Sequence, residues 1–142
     1  MLRTTAVTAL AALAVSATTA AAQDVASAQT PSRNIACMAM PPGIDQPRPQ
    51  LRCDVRQMSS RLPRPPRACN LSWGDAFVLD PTGPGRMMCH GDTVADPSAP
   101  VIPYGRQWRA YGFTCTSQTT GLTCVNATGH GFSLSRAVQK VF

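Results

Sequence analysis

Phe113-Thr114-Cys115-Thr116-Ser117-Gln118-Thr119-Thr120-Gly121-Leu122-Thr123-Cys124-Val125-Asn126 reads as two short strands around a turn. Residues two apart on a strand share a face. Phe113 and Cys115 therefore lie on one side of the first strand, and Leu122 and Cys124 on one side of the second. Gln118-Thr119-Thr120-Gly121 is a four-residue loop whose glycine suits a left-handed conformation. In that register Cys115 stands opposite Cys124, with Phe113 one step along on the same face. The same signature, an apolar residue two positions before a cysteine, recurs at Ile35/Cys37, Leu51/Cys53 and Met87/Cys89. It predicts an all-β fold with little helix: a small disulfide-stapled antiparallel sheet, or a partly open barrel or sandwich built from hairpins.

The cysteine count is even, at six. The preferred pairing follows reading order, Cys37–Cys53, Cys69–Cys89 and Cys115–Cys124, because each pair brackets one predicted hairpin or loop. Such a framework belongs to an oxidising compartment. The N-terminus agrees. Arg3 precedes an Ala/Leu/Val-rich stretch from Ala6 to Ala17, and Ala20-Ala21-Ala22 follows before Gln23 and Asp24. That is the three-part form of a secretory signal over residues 1–22, too short and too broken by Thr and Ser to span a bilayer. The expected address is secreted or periplasmic, with no transmembrane segment after cleavage. No C-x-x-C occurs, which argues against zinc ribbons and thioredoxin-like redox motifs.

Outward from the hairpin, residues 23–33 are small and polar and read as a flexible lead to a single β domain over 34–142. Asn34–Met40 and Gln50–Val55 read as strands around a proline-rich loop that cannot be sheet interior. Residues 56–68 form a second proline-rich stretch, suited to an extended ribbon. Asp75–Asp80 and Arg86–Gly91 flank Pro-Thr-Gly-Pro-Gly as a hairpin. Gln107–Ser117 reads as one strand. Gly131–Ser135 is a last short strand, with Ser135 placed to cap a helical turn over 136–141.

Several blocks resemble an uncharacterised family of small secreted, disulfide-bonded bacterial domains. Pro31-Ser32-Arg33-Asn34-Ile35-Ala36-Cys37 is similar to an opening that usually reads P-S-G-N-I-x-C. Leu51-Arg52-Cys53-Asp54, Cys89-His90-Gly91-Asp92-Thr93, Pro103-Tyr104-Gly105-Arg106, Gly121-Leu122-Thr123-Cys124 and Gly129-His130-Gly131-Phe132 resemble the later blocks, in order. The resemblance implies one exported domain and supplies no mechanism. Arg33 stands where the family opening has glycine, so a positive φ there would strain the turn.

The formal net charge is +6, falling to +5 without Arg3. Arg52, Arg56, Arg61, Arg64 and Arg67 make the middle of the chain its most basic part. Tyr104, Trp108 and Tyr111, interleaved with Arg106 and Arg109, form a second cluster suited to stacking against a charged polymer. Together they suggest a non-enzymatic binding module of the cell envelope or exterior. Its partner would be an anionic envelope polymer, lipid headgroup or protein, with no specific nucleic acid and no cofactor or metal expected. The alternative is a small secreted hydrolase of phosphodiesters or glycans using His90, Asp92 and His130 as acid and base, should the fold bring them together. A third reading is an inhibitor-like loop presenter, with Pro42–Pro49 offered to a protease.

Overall fold

Apolar side chains alternate along the strands, and the alternation sorts them into one shared interior. The structure is a computed structural model that describes residues 24–142; the signal-peptide reading of residues 1–22 falls outside the described residues. The first sheet holds β1 (Ala26–Gln29), β2 (Ile35–Met40), β3 (Gln50–Val55), β4 (Ala76–Leu79) and β5 (Arg86–Met87). The second holds β6 (Gln107–Ala110), β7 (Phe113–Gln118), β8 (Gly121–Val125), β9 (Gly131–Leu134) and β10 (Gln139–Val141). Both are open antiparallel meanders, each strand pairing only with its sequence neighbours. There is no helix among the described residues.

Ile35, Cys37, Leu51, Cys53, Phe77 and Leu79 of the first sheet face Phe113, Cys115, Leu122, Cys124, Phe132 and Leu134 of the second in one buried cluster. Phe77 and Phe132 meet across the sheets with ring centroids 6.1 Å apart. The disulfides are Cys37–Cys53, Cys69–Cys89 and Cys115–Cys124. Two of them join residues directly opposite on paired strands. Cys53 Sγ and Cys124 Sγ lie 4.0 Å apart, so these bridges stack at the centre of the core. Closing loops of this size contributes about 3 kcal/mol per bridge in the chain-entropy account.

The chain departs from the sequence expectations in five places. The strand expected over Arg86–Gly91 ends at Met87, so β5 is two residues long. Part of the segment read as a flexible lead is β1, paired with β2 from Ala26↔Ala39 to Gln29↔Ala36. Its composition hid this, because ladder hydrogen bonds need no apolar side chain. Its free edge is met by residues 99–102, where Gln29 N donates to Pro100 O and Ile102 N to Gln29 O. The strand expected over Gln107–Ser117 reverses at Tyr111-Gly112, with φ of 48° and 87°. Positive φ at both central residues is the mirror-image turn that matches strand twist, and tyrosine is not a residue that announces it. The loop after β7 is tighter than expected, since Gln118 and Gly121 pair and leave only Thr119-Thr120 to turn. Finally, no helical turn forms over 136–141. Ser135 Oγ does accept from Val138 N, at 2.9 Å, but it closes a hairpin into β10.

Arg33 has φ of 56°, so the left-handed backbone at the block where arginine replaces glycine is real. Gly131 is required for a different reason. A Cβ there would sit 1.8 Å from the Cys124 carbonyl oxygen.

Candidate functional site

Two polar assemblies are built on this frame. The first covers the outer face of the first sheet. Leu51, Cys53 and Val55 point into the core, so Arg52 and Asp54 point outward on β3. Both are nevertheless buried, at 4% exposure each. The lid is residues 88–99, held by the Cys69–Cys89 bridge and by reciprocal backbone bonds between Ser72 and His90.

Arg52 donates through Nε and Nη2 to the two carboxylate oxygens of Asp54, at 2.8 and 3.1 Å. Nη1 also donates to Asp92 Oδ1 at 2.8 Å, and Nη2 to the Asp92 carbonyl at 2.9 Å. Asp54 Oδ2 also accepts from Thr93 Oγ1 and Val94 N, each at 3.0 Å. His90 donates from Nδ1 to the Asp92 carbonyl at 2.6 Å, and its Nε2 lies 2.8 Å from Asp75 Oδ1. Burial opposes charge on His90, but the Asp75 carboxylate and the Asp92 carbonyl outweigh it, so its pKa is raised above 6.5. The Arg52 hydrogen bond and charge hold the exposed Asp92 carboxyl below its ordinary 3.8.

The second assembly is a groove of 520 Å³ where turns of the two sheets converge. Arg33 enters it from the β1–β2 turn, Arg56 from just beyond β3, and Arg136 from the β9–β10 turn. The local chain fixes these positions. Arg33 N donates to Thr30 O, and Arg56 N to Asn34 O, each at 2.8 Å. Ser59 N reaches the Arg136 carbonyl at 2.8 Å, tying the post-β3 loop to the second sheet. Tyr104 forms part of the wall, 46% exposed on a loop whose Gly105 N donates to Ser117 O. Among the described residues, no carboxylate lines the groove. Among the described residues, none of the three guanidinium groups is in an ion pair.

The sequence-predicted residues scatter over this map. Arg52 leaves the basic ribbon, because its guanidinium is consumed within the buried assembly. Arg56, Arg61, Arg64 and Arg67 are exposed, as are Arg106 and Arg109. The aromatic cluster divides. Trp108 and Tyr111 pack against the core, while Tyr104 faces the groove. His90 and Asp92 do meet, but as fasteners of the lid, with both imidazole nitrogens occupied. His130 lies exposed in the β8–β9 turn of the other sheet, and neither histidine lines the groove. In that turn Gly129, not His130, takes the positive φ.

Asn126, which no sequence motif singled out for this role, is the organiser of that corner. Its Nδ2 donates to the carbonyls of Asp80 and Gly83, and its Oδ1 accepts from Thr128 and His130. The sulfur atoms of Cys37, Cys53, Cys115 and Cys124 gather within 4.8 Å of one another, but as two disulfides they are not the thiolates a metal needs.

Residues 7–142 match the sequence model of a family of unknown function (DUF6636). The chain belongs to that family. Membership of DUF6636 fits the small disulfide-bonded fold and assigns no chemistry to it. No curated protein and no solved structure matches the chain. No helix among the described residues is long and apolar enough to cross a membrane. Together with three disulfides, this is compatible with an extracellular or periplasmic protein.

Proposed function

We propose that this chain is an exported, non-enzymatic binding module that holds an anionic partner at the end of its two-sheet sandwich. The observation that carries the reading is the groove lined by Arg33, Arg56 and Arg136 with no carboxylate among them. Guanidinium groups match carboxylate and phosphate oxygens in pairs, and each is left without an ionic partner among the described residues. The exposed Arg61, Arg64 and Arg67 extend the positive field beyond the groove. Export rests on the leader pattern of residues 1–22 and on the disulfides.

The test is salt-dependent binding of the oxidised protein to envelope polysaccharide and to anionic lipid vesicles. Binding should weaken steeply between low and physiological salt and fall by about tenfold or more in an Arg56→Ala/Arg136→Ala double variant. Binding that ignores salt, or that survives the double variant, refutes it.

A second reading, the loop presenter, draws on one observation. Ile44 is fully exposed on the loop between β2 and β3, whose strands the Cys37–Cys53 bridge clamps together. Protease inhibition that an Ile44→Asp variant abolishes would support it.

A further inference from the structure

We infer that the anion held in the arginine groove is carried on a sugar, and that the site takes a short segment of acidic saccharide. Its carboxylate or phosphate oxygens would lie on Arg33, Arg56 and Arg136, with one ring face on Tyr104. The inference deepens the binding reading above and rests on it.

Four features of the groove point to a sugar. Its volume of 520 Å³ falls in the range of small-ligand sites, about 300–1,000 Å³. Between the arginines the wall is neutral and polar, with Gln57, Gln118, Thr119 and Thr120 all exposed. Amides and hydroxyls both donate and accept, which suits a ligand dense in hydroxyl groups.

Among the described residues, Tyr104 is the only large exposed aromatic or aliphatic side chain in the lining. A lipid surface calls for a broad apolar rim that can enter the headgroup region, and beside the groove the described residues offer only Val138, next to the lining residue Ala137. Successive nucleic-acid bases call for several stacking rings, and Trp108 and Tyr111 are turned to the core.

The last feature is the backbone of Arg33, at φ of 56°. An arginine in that conformation is strained, and its side chain makes no ion pair within the described residues. Strain without an internal use is expected where a side chain serves a ligand. Arg33 and Arg56 also line an adjoining groove of 390 Å³, but Asp96 stands in its wall, so the acidic groups of the ligand are confined to the first groove.

The experiment uses the full oxidised protein and calorimetric titration with three probes. They are oligogalacturonate, the same oligomer with its carboxylates methyl-esterified, and phosphatidylglycerol vesicles. The acidic oligomer should bind, and its ester at least about tenfold more weakly. Tyr104→Ala should weaken the acidic oligomer about tenfold while Tyr104→Phe restores it, with thermal unfolding unchanged in both. Arg33→Gly should weaken binding about tenfold while raising the melting temperature, because it relieves the turn. Vesicles bound as tightly as the oligomer, through the same arginines and without Tyr104, would overturn the sugar inference and leave the anionic reading standing. If none of the three probes binds at low salt, both fall.

Discussion

Arg52 and Arg56 sit four residues apart and project from the same side of β3 and its extension, yet they live in opposite environments. Arg52 is sealed beneath residues 88–99, with all three guanidinium nitrogens bonded to Asp54 or Asp92. Arg56 lies just beyond the lid, exposed at the groove without an ionic partner among the described residues. Residue type and strand face are the same in both places. What differs is whether a distant loop returns to cover the position. The covered region uses its charges to fasten the fold, and the open region leaves them available to a partner.

The sharpest way to break this contrast is to remove one charge from each region. Arg52→Ala strands the buried Asp54 carboxylate with only Thr93 and Val94 as donors. It should cost about 3–5 kcal/mol in urea unfolding, the usual penalty for breaking a buried pair from one side. A loss below about 1 kcal/mol would mean that the lid is not held by this pair.

The next effect is one of pH. His90 has its pKa raised above 6.5, so its contribution is fully present below pH 6.5 and fades as pH rises through the folded-state value. Asp92 has its pKa lowered from 3.8, so its contribution is present above pH 3.8 and is lost as pH falls through its folded-state value. Stability should therefore be greatest between those limits and decline above pH 6.5 by no more than about 1.4 kcal/mol per pH unit. A His90→Gln variant should lose the alkaline decline. Stability that instead climbs from pH 6.5 to about 8 would show that His90 is buried neutral.

The smallest effect belongs to the groove. Arg56→Ala and Arg136→Ala should each leave unfolding within about 0.5 kcal/mol of the parent. A larger loss in either would mean that the open region also serves the fold, and the distinction between the two arginine environments would disappear.

How much could be read from the chain follows the same division. The β2–β3 and β7–β8 hairpins were legible because alternation and a cysteine on each strand lie within a short span, and β4–β5 was legible through the Pro-Thr-Gly-Pro-Gly turn between its strands. The lid was not, because Arg52 and Asp92 are 40 residues apart and nothing local to either names the other. His90 and Asp92 stood out as chemistry-bearing residues, but their spacing fits a structural clasp as well as an acid–base pair. The groove was legible only through Arg56 and Tyr104. Arg33 and Arg136 come from turns at opposite ends of the chain, so only the docking of the two sheets brings them together. The one local sign was arginine where the family opening has glycine, and it announced a strained backbone rather than a site.

The strand order has a consequence for how the molecule is made. Every ladder joins sequence neighbours, and every sulfur bridge closes within one half of the chain. A polypeptide emerging N-terminus first can therefore complete and oxidise its leading half while the trailing half is still unmade. Short-range closure of this kind favours rapid folding over long-range search. The hazard comes afterwards, when the halves dock and bring Cys53 and Cys124 sulfurs within 4.0 Å. A thiol left unoxidised at that moment has a neighbouring disulfide to attack, and the exchange would weld the halves together through the wrong pair.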